Sequence, residues 1–359
     1  MKARVFHWPL ALALLLGPGL FPTFPAQARL LPGQQAAPVA PTPALSLPEP
    51  PLRVLGSTPV WPLVRADNPA IQNAVLSTED AFGELYAGRA DLVLGTLPPP
   101  PPPTGTDRPL HVPVGVFAVS VAYTLPGLDL RLDLPTLCAL LSGRISRWNA
   151  PAVAALNPGV ALPALPVLLS VRRARSGVSL AVAGTCVEAG AWPTTQLKSN
   201  WIGGAAFTRV TPGAVRTDLN IPGTLALLAL QATPAGVQTA RLRSVGGSFV
   251  APRSELGLSA PGPSGAAPTL PTRAFGVLHV STAAGAYPLR GLVWASLMPQ
   301  QAYRGRSLER AQALLTLIST LRSRSGRGVA GLPQKTWTPL PLTYQGQPLP
   351  AGPAPVSTP

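Results

Sequence analysis

The sequence predicts an α/β protein with parallel-rich sheets. Three observations carry that expectation. Short apolar runs end in turns of Gly, Ser and Thr; segments with helical apolar spacing alternate with them; and the chain has 359 residues with 46% hydrophobic character. A chain of this length buries one large or two medium cores, and two lobes are expected.

Taken in order, residues 52–55 read as a first buried strand ending in the polar turn Gly56, Ser57, Thr58, a usual ligand-loop position in α/β proteins. Residues 80–86 have helical character, and 91–94 form a short apolar strand closing at Gly95 and Thr96. Residues 98–103 are a polyproline surface insertion, and the Val-rich stretch 111–121 is a strand pair or one long strand. Asp133 caps a helix whose inner face carries Leu134, Leu137, Leu140 and Leu141, with Gly143 ending it. Residues 167–171 form a strand leading through Arg172 to Ser179 into a helix that runs to Val187. Residues 307–324 place Leu314, Leu317, Ile318 and Leu321 at helical spacing. Beyond Leu340 the chain returns to Pro and Gly and reads as a loose tail, and no internal repeat is visible.

The N-terminus joins Met1, Lys2 and Arg4 to an apolar stretch from Trp8 to Leu20 and then to Ala26, Gln27 and Ala28, the small-x-small form of a cleavage site. Residues 1–28 are therefore expected to be a secretory signal, its apolar run being shorter than the ~20 residues that span a bilayer. Pro-rich residues 29–51 follow as an extended linker. No Cys lies near the cleavage site for lipid attachment, so the mature protein is expected in a periplasm or outside the cell. There Cys138 and Cys186 could form a disulfide or remain two buried thiols.

With 28 Lys+Arg against 13 Asp+Glu the formal charge is +15, which favours anionic partners. The cations are mostly single, scattered Arg without basic runs or interleaved aromatics, so nucleic acid is not an expected partner. Three histidines in total, at 7, 111 and 279, make a metal site improbable and no cofactor is expected. The nucleophile elbow, the phosphate-binding Walker loop and the dinucleotide fingerprint are missing from their proper strand contexts, and Glu79 beside Asp80 reads as a helix start; no enzyme is expected. Anion binding is better supported. A dehydrated oxyanion needs convergent N–H donors, hydroxyls and an Arg, which strand-to-helix turns provide together. Three segments qualify: Gly56 to Thr58, Gly95 with Thr96, and Arg172 to Ser179.

Further motifs give the chain a family likeness. Residues 115–127, closing on Tyr123, Thr124, Leu125, Pro126, Gly127, are followed by Leu141, Ser142, Gly143, Arg144, Ile145, Ser146, Arg147, Trp148, Asn149 and by Leu156, Asn157, Pro158, Gly159. Trp192 with Pro193, residues 205–215, 247–252 and Ala286, Tyr287, Pro288, Leu289 keep the same order. The sequence resembles the periplasmic phosphate-binding proteins of ABC transporters over most of residues 52–342. The resemblance implies a type II periplasmic-binding-protein fold, two α/β lobes with a ligand cleft between them: residues 52–118 begin lobe 1, 119–270 form lobe 2, 271–342 return to lobe 1, and 343–359 are a flexible tail. It also implies an exported monomer that carries inorganic phosphate or a related oxyanion to a membrane permease. The alternative is a binding fold that has lost transport and serves as an envelope adhesion or sensory module.

Carried over position by position, the resemblance makes Thr58, Ser77, Thr96, Arg172, Arg173, Ser176 and Gly177 the ligand-binding set. Several depart from the pattern. Pro59 removes an N–H donor, and Glu79 stands where a carboxylate would repel an anion unless turned outward. Thr96 replaces an acceptor Asp, and the Arg172 to Ser179 loop lacks its own Asp. Without the acceptor the distinction between protonated phosphate and a fully ionised oxyanion weakens by ~1 to 3 kcal/mol. Arg175 is expected to add attraction without selectivity.

Overall fold

The computed structural model describes residues 50–64, 68–201, 209–211, 219–252, 285–326, 328–332 and 340–349. The expected signal and nearly all of the Pro-rich linker lie outside these residues, as do His7, His279 and most of the 205–215 and 271–285 stretches.

The first half of the main sheet is built from β1 (Leu52–Gly56), β2 (Ile71–Val75) and β3 (Leu92–Gly95), which pair in parallel in the order β2, β1, β3. The helix between β2 and β3, α1 (Thr78–Tyr86), buries Ala81, Phe82 and Leu85. The stretch read as a strand pair or a long strand is one strand, β4 (Leu110–Tyr123), buried along almost all of its length. Its partners change midway. Up to Ala118 it runs antiparallel to β12 (Arg290–Leu297), which bridges it to β3; from Val119 it runs antiparallel to β8 (Thr224–Ala229). Beyond β8, β6 (Leu168–Arg172) and β7 (Arg209–Thr211) extend the sheet in parallel. Each half is thus a parallel set of strands, and the two are joined along β4. The Tyr287 hydroxyl donates to Val119 O over 2.8 Å at the crossover and is fully buried there.

Small elements complete the chain: β10 (Arg241–Arg243) lies between β5 (Arg131–Leu132), to which it is parallel, and β11 (Phe249–Val250), to which it is antiparallel, while β9 (Gln238–Thr239) adds to the end of β4. The hairpin β13 (Ser325–Gly326) and β14 (Val329–Gly331) lies against β4 at Gly115, Val116 and Phe117.

Two helices form where local chemistry directs them. α2 (Leu134–Ser142) has Asp133 accepting from the Thr136 N–H and Gly143 at φ 79°, the left-handed stop that Gly adopts without strain. α4 (Gly177–Glu188) is capped by Ser176 and is buried on most of its surface, consistent with its small and apolar composition. Between them lies the short α3 (Pro151–Leu156). The disulfide Cys138–Cys186 ties α2 to α4 across 48 residues of sequence, settling the alternative left open by the sequence. At the other end, α5 (Leu308–Ser323) starts at Ser307 and plants Arg306 and Arg310 on Asp91, 2.8 and 2.7 Å away. Burial pushes the Asp91 carboxyl up, but hydrogen bonds from Arg310, Arg306 and the Arg53 N–H outweigh it and hold the group below its ordinary range.

The loose tail expected over residues 343–359 needs correction over 343–349, the rest lying outside the described residues. β15 (Thr343–Tyr344) and β16 (Gln347–Pro348) form a hairpin, Thr343 bridges to Gln300, and Leu342 and Leu349 are buried. Two apolar anchors flanking a tight turn outweigh the Pro and Gly content of that segment.

Candidate functional site

The C-terminal ends of β1 and β3 lie side by side, and the turns that leave them are stitched together by main-chain bonds. Ser57 N–H donates to Leu94 O at 3.3 Å, and Leu76 N–H, just before α1, donates to Gly56 O at 3.1 Å. Thr58 opens the 3-10 turn Thr58–Leu63, Ser77 caps α1, and Thr96 follows β3 with 6% of its surface exposed. Three of the expected ligand segments therefore meet at one edge of the first half.

From the second half, α4 brings the fourth. Gly177, its first residue, is buried against Thr96, and a Cβ there would run into the Thr96 side chain and stand 2.8 Å from its carbonyl oxygen. The loop before it is pinned by Ser176 N–H to Ser199 O at 2.8 Å and by Arg175 Nε to Ser199 Oγ at 3.0 Å. Arg175 also reaches across to Glu79 at the start of α1, 3.3 Å away. Thr96, Ser77, Ser176 and Gly177 are thus brought into one neighbourhood formed from both halves of the sheet. Arg172 and Arg173 stand on the same loop with exposed side chains, and neither pairs with a carboxylate among the described residues.

Charge decides which helix end faces an anion. A helix N-terminus carries partial positive charge on N–H groups without intrahelical partners. In α1 that end is already occupied: Glu79 and Asp80 sit in its first turn, the Asp80 carboxylate accepts from the Ser77 hydroxyl at 2.7 Å, and the Asp80 N–H donates the cap bond to Ser77 Oγ. In α4 the first turn holds no acid, and only the Ser179 N–H is answered, by Ser176 Oγ at 3.0 Å. The N–H groups of Gly177 and Val178, the Thr96 hydroxyl, one hydroxyl of the Ser176–Ser179 pair, whose oxygens lie 3.0 Å apart, and the side chains of Arg172 and Arg173 are the donors available here among the described residues.

Glu79 is turned outward with more than half of its side chain in water, and it meets Arg175 in an exposed ion pair, a contact worth ~1 kcal/mol or less at the surface. One residue of the expected Gly56 to Thr58 segment was left out of the ligand set: Ser57, whose Oγ is buried in the β1 turn without a hydrogen-bond partner among the described residues. Its place in the Gly-Ser-Thr turn was visible in the sequence, but that its hydroxyl is buried was not.

Known proteins agree with this architecture. A phosphate-binding protein from Stenotrophomonas maltophilia superposes with TM-score 0.54 over 76% of this chain and 84% of its own, at 15% identity. A high-affinity periplasmic phosphate-binding protein, PfluDING, solved with phosphate bound, superposes with TM-score 0.56 over 79% of this chain and 91% of its own, also at 15% identity. The fold is that of the two-lobed periplasmic phosphate-binding proteins. In sequence, phosphate-binding protein PstS 3 of Mycobacterium leprae is 41% identical over 70 residues, 19% of either chain. PstS3 of Mycobacterium bovis is 31% identical over 122 residues, 32% of either chain. These alignments span a third or less of the curated relatives' length, and no family model matches the chain. All four similar proteins are named for binding, not catalysis.

Proposed function

We propose that this is an exported, non-catalytic solute-binding protein that captures inorganic phosphate or a related oxyanion between its lobes and hands it to an ABC permease. The observation that carries the reading is the packing of Gly177 on Thr96, which sets an acid-free helix N-terminus from one lobe against a buried strand-end hydroxyl from the other. Backbone N–H groups and hydroxyls hold the anion there, Arg172 and Arg173 supply the full positive charges, and Ser57 adds a hydroxyl from the β1 turn. Ser77 has a smaller part, since Asp80 already engages its hydroxyl. The phosphate-binding titles of the relatives and structural neighbours support the ligand class. Release from the cytoplasm, a monomeric state and closure of the lobes before docking on the permease belong to the same proposal. The adhesion or sensory alternative has no observation of its own.

Calorimetric titration of the mature protein with phosphate, arsenate and sulfate tests the reading. Micromolar or tighter phosphate binding is expected. Changing Arg172→Ala together with Arg173→Ala should weaken it by about a hundredfold, the loss of one or two charge-assisted bonds. Silence toward all three oxyanions would overturn the function.

A further inference from the structure

Cations that stand singly in the sequence converge at one place in the fold. In the small sheet of β5, β10 and β11, Arg131 is paired with Arg241 across parallel strands and Arg243 with Phe249 across antiparallel ones. Paired residues point to the same side of a sheet, as do residues two apart on a strand. Arg131, Arg241, Arg243 and Phe249 therefore share one face, while Leu132 and Leu242 on the other are fully buried. The shared face is open to water, with Arg131 exposed and 44% and 43% of the Arg241 and Arg243 side chains accessible. Both Arg131 and Arg243 lie over the half-buried Phe249 ring, their guanidinium carbons 5.7 and 4.9 Å from its centre. Two carboxylates flank the row. Asp129 accepts from Arg241 Nε at 3.2 Å, and Asp133, whose other oxygen caps α2, stands 4.0 Å from Arg243. This face is remote from the anion donors: β9 ties it to the end of β4 at which β8 and β6 begin, whereas the anion loop leaves the other end of β6 at Arg172.

Like charges set opposite each other on neighbouring strands are destabilising, and Arg131 beside Arg241 is such a pair, which an anion laid across both relieves. Each guanidinium carries five N–H donors, and among the described residues only Arg241 Nε is given to a protein acceptor at hydrogen-bond distance. Stacking on Phe249 holds the Arg131 and Arg243 planes in place, so less freedom is lost when a partner arrives. Neighbouring strands set Arg131 and Arg241 about 4.8 Å apart, and two residues of strand set Arg241 and Arg243 about 6.6 Å apart. The second spacing is the one at which an extended chain presents alternate side chains on one face. We propose that this face is a docking surface for an extended acidic segment of a second protein, whose alternate carboxylates meet the guanidiniums in planar, two-pronged pairs. Another copy of this chain is repelled by the +15 charge both carry. A nucleic-acid base or a lipid tail has to displace the guanidiniums to reach the Phe249 ring. The inference does not depend on the anion reading above.

The test is the fluorescence anisotropy of a labelled peptide of alternating Glu and Gly titrated with the mature protein at low ionic strength, with the Gln and Gly peptide as the blank. Arg131→Gln with Arg243→Gln is compared with Arg144→Gln with Arg147→Gln, which removes the same charge from exposed positions elsewhere in that half of the molecule. The first pair should lose about fivefold or more of the affinity for the Glu peptide, and the second less than about twofold. Arg131→Lys with Arg243→Lys keeps the charge and should retain most of the affinity, which separates a lost contact from a lost fold; thermal melts of all three check the same point. Equal losses in the two Gln pairs assign the attraction to diffuse charge and overturn the proposal, as does equal binding of the Gln peptide. Tighter capture of phosphatidylglycerol vesicles or single-stranded DNA through Arg131 and Arg243 also overturns it, transferring the face to another class of anion.

Discussion

A methyl group added at residue 177 would meet the Thr96 side chain and its carbonyl oxygen at once, and neither is the free end of a flexible chain. Gly177→Ala must therefore push the start of α4 away from β3, separating the donors that the anion needs together. Overpacking of this kind costs about 1 to 3 kcal/mol in stability. The expected outcome is a modest fall in melting temperature with a loss of phosphate affinity of about tenfold or more, read by calorimetry against thermal melts of the same variant. Unchanged affinity would show that the Thr96 contact does not shape the site. At this scale the sequence was partly legible. Ser176 and Gly177 declared a capped helix start and Thr96 a strand end, but their contact joins residues 81 positions apart and no local pattern encodes it.

Among the elements, α4 depends on an anchor far from its ligand end. The Cys138–Cys186 bridge closes a loop with a sequence separation of 48, a constraint worth about 4 kcal/mol on chain entropy. Replacing both cysteines with Ala should lower the urea midpoint measurably while leaving phosphate affinity close to that of the intact protein, because Ser176 and Ser199 still pin the loop at the other end. Equal midpoints would contradict a structural role for the bridge. Helices with explicit stops were readable in full: Asp133 and Gly143 bracket α2, and Ser307 opens α5. β2 was not, because only Ile71 of its five residues is buried and an edge strand of Gln, Asn and Ala has no alternation to detect. β8 was hidden for the opposite reason, its six residues being buried on every side. The terminal hairpin escaped because Leu342 and Leu349, which hold it down, flank a segment whose composition alone reads as loose.

For the whole molecule, the decisive feature is that β4 serves both halves of the sheet and so sets one group of strand ends against the other. The N-terminal end of α4 meets the end of β3 at Thr96 across that divide, and a net charge of +15 biases the encounter toward anions. Family motifs revealed this architecture in the sequence because they lie at turns and buried aromatics such as Trp148 and Tyr287, which fix the frame. They said less about the ligand, whose grip depends on which hydroxyls and arginines remain unpaired once the lobes meet. The most direct measurement is the amide NMR spectrum of the isotope-labelled mature protein as phosphate is added. Ser57, Thr96, Gly177 and Ser179 should shift together along one saturable curve. Shifts confined to a single loop, or a separate curve for each, would contradict a shared anion site.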